Sequence, residues 1–350
     1  MKIAYIIPAL NNQAPIVIAT TLAERFALKG HDVTIYYFDQ NVERKLAPGV
    51  TTKRIKFFQP IPWHEFDIIH SHMLRPDAYV FFHKPFFSKT STITTSHNYI
   101  YPELRNYHGL LASLVFGHLW NIFWTRMNRI CVLSGDAEKY YKKISINKKI
   151  SICHNGISID MQAEVSRSAV AACKAFKERF SFVIGTYCNL IRRKRIDRLI
   201  NLVERLDGVG LIIIGDGPEF AALNELAKAN NILEKVLFLG YQRNAHQFNK
   251  YFDIFAVPSE DEGFGLSLIE AALHEKNIIC SNIPVFREIF TLNAVTFFDD
   301  TDSSLEDAYH AAFLDKTKPF VAKSMALEFY SDNSMAEAYY SVYQRVNDSI

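Results

Sequence analysis

Phe252-Asp253-Ile254-Phe255-Ala256-Val257, then Pro258-Ser259-Glu260-Asp261-Glu262-Gly263-Phe264-Gly265, then Leu266-Ser267-Leu268-Ile269-Glu270-Ala271: this run decides the fold. A short apolar stretch, a turn with two glycines and an apolar helical stretch make a strand–loop–helix unit. Outward from it the same alternation recurs along the chain. Strands are expected at 2–7, 33–38, 67–70, 91–95, 129–133, 150–153, 181–186, 210–214, 235–238, 253–256, 277–280 and 295–298. Some, such as Gly210-Leu211-Ile212-Ile213-Ile214, are continuous apolar runs, which suits parallel strands buried on both faces. Helical stretches are expected between them at 16–29, 194–206, 218–229, 266–275 and 303–314. Pro15 suits a first helical turn and Gly30 a helix end. Strands alternating with helices mean an α/β protein with parallel sheets.

The chain has 350 residues, enough for about two domains. The alternation pauses between 158 and 180, where Ser158, Asp160, Glu164, Ser166 and Arg167 make a polar, helix-prone stretch. The expectation is two Rossmann-like, doubly wound domains facing a cleft, at residues 1–160 and 161–333. In such sheets ligands bind beyond the carboxyl ends of the strands, often on helix N-termini.

Apolar residues make up 49% and charged residues 22%, which excludes disorder as the main state. Residues 1–150 hold 19 Lys and Arg against 10 Asp and Glu, whereas 151–350 hold 20 against 27. A basic first half can face anionic lipid or a phosphorylated ligand. A net charge of only +2 lacks the basic footprint of a nucleic-acid binder. Five cysteines without a C-x-x-C point to a reducing compartment, and Pro8 stops the first apolar run too early for a signal peptide. A cytoplasmic protein is expected, or one peripheral on the inner face of the cytoplasmic membrane. Asn106 to Thr125 carries no Asp, Glu, Lys or Arg, but Asn106, His108, Ser113, His118 and Asn121 are polar for a bilayer core. A buried or half-buried helix is expected there, with a membrane-facing helix as the alternative. The aromatics of Phe81–Lys89 and of Trp120–Trp124 beside cations suit an anionic membrane surface, if exposed.

The turn after 252–257 is a place for an anion, because amides at the start of the next helix point outward and glycines allow close approach. Glu262 stands in that turn, and Glu270 follows a little over two helical turns later. A carboxylate there can accept hydrogen bonds from sugar hydroxyls. A surface Glu and a helix-face Glu in a plain βα unit remain the alternative. His70 and His72 fall on one side of an extended chain but are too few for a metal. Asp299-Asp300-Thr301-Asp302 reads as a loop and helix cap rather than a metal motif. Ser134 has no G-x-S-x-G around it, so a hydrolase nucleophile is not expected.

Glu262-Gly263-Phe264-Gly265-Leu266-Ser267-Leu268-Ile269-Glu270-Ala271 resembles the E-x7-E region of glycosyltransferase family 4, the group 1 glycosyltransferases of GT-B fold. Five more segments resemble that family in its order. They are Asp67-Ile68-Ile69-His70-Ser71-His72, Thr94-Thr95-Ser96-His97-Asn98, His154-Asn155-Gly156-Ile157, Leu211-Ile212-Ile213-Ile214-Gly215-Asp216-Gly217-Pro218 and Val236-Leu237-Phe238-Leu239-Gly240. Two departures stand out. Asn189 takes the place of the family's Arg ahead of Lys194, and Asn11-Asn12-Gln13-Ala14-Pro15 replaces a Gly-Gly loop.

The resemblance implies a retaining hexosyl transfer from a nucleotide-sugar to a glycan or lipid-linked acceptor, in bacterial lipopolysaccharide, capsule or exopolysaccharide synthesis. It implies no metal and no cofactor, since protein cations and helix dipoles neutralise the leaving diphosphate. Catalytic roles fall to His97 and Glu262. Donor binding falls to Glu270 at the ribose, to the amides around Phe264, Gly265 and Leu266 at the diphosphate, and to Lys194, Arg193 and Asn189. A helix at 334–350 is implied to cross back to the first domain. A non-catalytic nucleotide-sugar-binding subunit and an epimerase of the same fold stay open as alternatives.

Overall fold

The structure, a computed structural model, describes residues 1–348. They form two compact units, one of Met1–Ile157 with the chain from Tyr330 onward, the other of Ser158–Phe329. The first unit runs β1 (Lys2–Ile7), α1 (Ala14–Leu28), β2 (Asp32–Tyr37), β3 (Val50–Arg54), β4 (Ile68–His72), α2 (Leu74–His83), β5 (Ser91–Ser96), α3 (Ile100–Phe123), β6 (Arg129–Val132), α4 (Gly135–Ile144) and β7 (Ile150–Ile152). The second runs α5 (Arg167–Arg179), β8 (Phe182–Tyr187), α6 (Ile196–Arg205), β9 (Val209–Ile214), α7 (Phe220–Ala229), β10 (Val236–Phe238) and β11 (Ile254–Val257). It continues through α8 (Leu266–Leu273), β12 (Asn277–Ser281), α9 (Pro284–Ile289), β13 (Thr296–Phe298), α10 (Asp302–Leu314) and α11 (Lys318–Phe329). The last helix, α12 (Asp332–Asn347), belongs to the first unit.

Both sheets are parallel throughout, ordered β3-β2-β1-β4-β5-β6-β7 and β10-β9-β8-β11-β12-β13. The two orders share a reversal, at β1/β4 and at β8/β11, which opens a crevice at the carboxyl ends of those strands. Each of the twelve expected strands forms. β3 is additional: Val-Thr-Thr-Lys-Arg is an exposed edge strand without an apolar run to announce it. α2 and α4 were also not expected. Pro76 sits in the first turn of α2, where a proline is tolerated, and α4 is largely charged, capped by Ser134 whose hydroxyl accepts from Ala137 N.

The core of the first unit gathers Ile6, Ile69, Tyr79, Trp124, Ile130 and Tyr141. Inside it lies one carboxylate, Asp77, fully buried. Its Oδ1 accepts from Ser71 Oγ at 2.6 Å and Thr94 Oγ1 at 2.7 Å, and its Oδ2 from Trp120 Nε1 at 2.6 Å and Trp124 Nε1 at 2.8 Å. One side chain thereby pins two strands and the end of α3 to α2. Burial pushes its acidity down, opposed by those four donors. α12 is fixed to the same unit by polar contacts: Tyr343 OH lies 2.6 Å from His70 Nδ1 and 3.0 Å from Tyr5 OH, and Arg25 Nε donates to Asp332 at 2.7 Å.

The segment Asn106–Thr125 is half-buried rather than buried, and with the opposite face inward from the one its apolar residues would suggest. It lies mostly in α3, which breaks at Gly109 (φ 83°). Beyond the break Ser113, Gly117 and Asn121 are buried while the large apolar side chains face outward. Trp124 is fully buried and Trp120 half-buried, because Asp77 holds both indoles, so these two rings are not the exposed surface expected of them. Among the described residues no helix is long and apolar enough to cross a membrane.

All three tryptophans lie in the first unit, so indole fluorescence reports on that unit alone. Asp77→Ala strands four donors in the interior, at about 1–3 kcal/mol for each left unsatisfied. Urea unfolding followed by tryptophan fluorescence is expected to show a loss of at least about 3 kcal/mol.

Candidate active site

The second sheet reverses direction between β8 and β11, and the chain leaving both strands carries the chemistry. After β8 come Asn189 and a basic turn; after β11 comes the loop that leads into α8. Gly265 stands at the N-cap of α8 with φ 103°, a conformation side chains rarely adopt, and turns the chain so that the first amides of the helix are presented to the loop. Phe264 is buried and Leu266 half-buried on either side of it. Behind the basic turn, Gly215 (φ 137°) packs so closely that a Cβ would stand 1.8 Å from the Cys188 carbonyl oxygen.

Glu262 is the hub. Its Oε1 accepts from Lys194 Nζ and, at 2.9 Å, from Ser259 Oγ, while Arg193 NH1 lies 3.4 Å from Oε2. Arg193 also donates to the Asp261 carbonyl at 2.8 Å and pairs with its carboxylate at 3.0 Å. Burial disfavours the ionised form of Glu262, but Lys194 and Arg193, with the Lys194 and Ser259 hydrogen bonds, outweigh it and hold the carboxyl below its ordinary range. Arg195, at φ 50°, turns away to Asp197 and Glu260. A cleft of about 410 Å³, lined by Arg192, Arg195, Glu219 and Glu260 among others, opens beside this turn.

Glu270 has the opposite environment. It is half-buried on α8 with a hydrogen bond to the Tyr187 hydroxyl, and burial, opposed by that bond, pushes it up to about 7. Asn249 Nδ2 reaches the same hydroxyl at 3.3 Å. Two carboxylates of one loop–helix unit are thus held apart, one ionised and one close to half-protonated near neutrality. Tyr187 and Ser259 were not singled out from sequence. The only signal for Tyr187 is its place as the last residue of a strand at the reversal.

Asn189 is exposed, with its Oδ1 facing Gly217. His97 belongs to the other unit, just past β5. Its Nε2 lies 2.8 Å from His72 Nδ1, and burial pushes it down to about 3, so the ring is neutral at physiological pH. His70 and His72 lie on one side of β4 with ring centroids 4.3 Å apart and planes tilted by 34°. Thr301, in the Asp299–Asp302 run, caps α10 by accepting from Ser304 N at 3.2 Å. Among the described residues no group of three or more His, Cys, Asp or Glu is placed to hold a metal ion.

Two parallel α/β sheets, each reversing once, with a charged loop–helix at the reversal of the second, define a two-domain Rossmann-like architecture. Residues 17–161 match the family described as Glycosyltransferase Family 4, and residues 174–319 match Glycosyl transferases group 1. The chain belongs to the group 1 glycosyltransferases of family 4, with the GT-B fold. It is similar to the O-antigen biosynthesis glycosyltransferase WclY of Escherichia coli, 30% identical over 94% of this chain and 97% of that one. It is also similar to the N-acetylgalactosamine-N,N'-diacetylbacillosaminyl-diphospho-undecaprenol 4-alpha-N-acetylgalactosaminyltransferase of Campylobacter jejuni, 29% identical over 49% of this chain and 46% of that one. In fold it resembles Anabaena HepE in complex with UDP and glucose, with a TM-score of 0.80, 14% identity and coverage of 99% and 100%.

The raised Glu270 makes a stability prediction. Its native form binds a proton more tightly than the unfolded chain, so its contribution weakens as pH rises from about 4.5 and is lost above about 7. Glu270→Gln is therefore expected to be more stable than the parent protein above about pH 7, by about 3 kcal/mol, with the difference vanishing below about pH 4.5. Calorimetry across that range checks it.

Proposed function

We propose that this glycosyltransferase moves a hexose from a nucleotide-sugar to a glycan or lipid-linked acceptor, with retention of configuration and without a divalent metal. The carrying observation is the pair of carboxylates at the β8/β11 reversal, Glu262 with Lys194 and Arg193, and Glu270 with Tyr187. Assembly of a bacterial O-antigen or lipopolysaccharide is the setting favoured by similarity to WclY. A lipid-linked acceptor is favoured by the name of the Campylobacter enzyme, and a UDP-sugar by HepE.

In this reading Glu270 accepts hydrogen bonds from the ribose hydroxyls. The diphosphate sits on the first amides of α8 near Phe264, Gly265 and Leu266, with Lys194 and Arg193 supplying the positive charge a metal would otherwise bring. Glu262, kept ionised, accepts from hydroxyls of the transferred hexose and holds both cations in place. It is already engaged by Lys194, Arg193 and Ser259, which favours this positioning role over attack on the sugar. The acceptor hydroxyl then attacks the anomeric carbon from the leaving-group side. The bond to the diphosphate breaks as the new glycosidic bond forms, and the proton passes to the departing phosphate oxygen. His97, neutral over the working pH range, offers a ring nitrogen to the donor sugar. Catalysis is then mainly positioning and charge stabilisation.

Ribose hydroxyls favour the ionised Glu270, so donor affinity is expected to rise as pH climbs through about 7. Glu270→Gln should bind the nucleotide-sugar about tenfold to a hundredfold more weakly and without that pH dependence. Lys194→Ala should lose a similar factor. Isothermal titration with UDP-, GDP-, ADP- and dTDP-sugars measures both, and unchanged affinity in both variants would sink the assignment. Transfer is expected to survive EDTA; activity abolished by chelation and restored by Mg²⁺ or Mn²⁺ would contradict the metal-free reading.

A further inference from the structure

The second arm of α3, residues 110–123, has its polarity turned inside out. A helix on a water-soluble surface buries its apolar stripe and exposes its polar one. Here Ser113, Gly117 and Asn121, spaced four apart, face inward. Ser113 Oγ donates to the Tyr101 carbonyl at 2.7 Å, and the Tyr101 ring lies so close over Gly117 that a Cβ there would stand 2.5 Å from it. Leu110, Leu111, Leu114, Val115, Phe116, Leu119 and Ile122 face outward, with Leu111 77% exposed. Aromatic rings extend this face: Phe123 contacts Phe81 and Phe82, Phe82 contacts Phe57, and Arg126 lies over Phe86. Beside it Phe87 is fully exposed. A contiguous apolar surface of this kind marks an interaction site.

The charges around it say what covers it. From residue 78 to 126 the chain has a single acidic residue, Glu103. Asn147 ties the loop after α4 to the end of α3, donating to the Trp124 carbonyl at 2.9 Å and the Met127 carbonyl at 2.8 Å. That loop and the helix before it carry exposed Lys139, Lys142, Lys143, Lys148 and Lys149, of which Lys142 pairs with Glu138. An apolar face with exposed lysines on the loop tied to the end of its helix complements an anionic bilayer, where the arm lies in the interface plane. A symmetric pair of chains meeting through this face would set like charges near one another.

We propose that residues 110–123, the Phe86–Phe87 tip and the lysines of 139–149 form a docking surface for an anionic lipid bilayer. The proposal stands independently of the donor-site reading, because its test needs no substrate. The full-length protein is sedimented with vesicles of phosphatidylcholine alone and of phosphatidylcholine mixed equally with phosphatidylglycerol, across a salt series. Binding to the anionic vesicles is expected to be at least about tenfold tighter and to fall as salt screens the surface charge. Leu111→Glu with Val115→Glu, and separately Lys143→Glu with Lys149→Glu, should each weaken it about tenfold or more while the thermal melt stays unchanged. Equal binding to both vesicle types, no binding, binding that persists at high salt, or variants that bind like the parent would overturn the proposal. So would analytical ultracentrifugation showing a lipid-free dimer that Leu111→Glu with Val115→Glu converts to monomer.

Discussion

A parallel sheet has to be covered on both faces, and that requirement governs where chemistry can sit in this protein. The strands of the second unit are lined largely with Ile, Val and Leu and packed beneath helices, whereas in the first unit β4 and β5 bury His70, Ser71, His72, Thr94 and Thr95, which find hydrogen-bond partners or ring contacts inside. Charged side chains collect where strands end. The order of each sheet reverses once, and in the second unit the loops leaving β8 and β11 come together at that reversal. Lys194, Arg193, Glu262 and the start of α8 meet there because the crossovers leave them no other place.

The two carboxylates of that site differ by surroundings and not by kind. Glu262 is enclosed but has two cations and a hydroxyl within reach, so it stays charged. Glu270 has a tyrosine hydroxyl beside it, but burial outweighs that hydrogen bond and its acidity falls. Hydroxyl donors would stabilise a Glu270 carboxylate that the empty protein disfavours. The cations beside Glu262 are held in place by that carboxylate and, for Arg193, by Asp261.

The first unit resolves a different conflict. Asp77 is a buried acid that four donors satisfy, and two of those donors are the indoles of Trp120 and Trp124. Fixing these rings inward sets the rotation of the second arm of α3. With Trp120, Trp124, Asn121, Gly117 and Ser113 on the inner side, the leucines and Phe116 have only the outer side left. The exposed apolar face therefore follows from a polar anchor in the core.

Much of this was legible in the sequence. Alternating apolar runs and amphipathic stretches mark the strands and most helices, because a strand buried on both faces and a helix buried on one leave different periods. The loop from Ser259 to Gly265 announces the strand-to-helix turn through its glycines, and Gly265 takes up the positive φ of that turn. The edge strand β3 and the polar helix α4 were not legible, since neither buries a continuous apolar run. Sequence also left open which partner each charge finds. That Lys194 and Arg193 converge on Glu262, across 68 and 69 residues, follows only from β8 and β11 being neighbours. That Tyr187 serves Glu270 has the same origin. For α3 the composition suggested a buried or half-buried helix, and tertiary structure put the polar face inward. The period of a helix says which residues share a face, but which face turns inward was decided by the hydrogen bonds of a single aspartate 43 and 47 residues away.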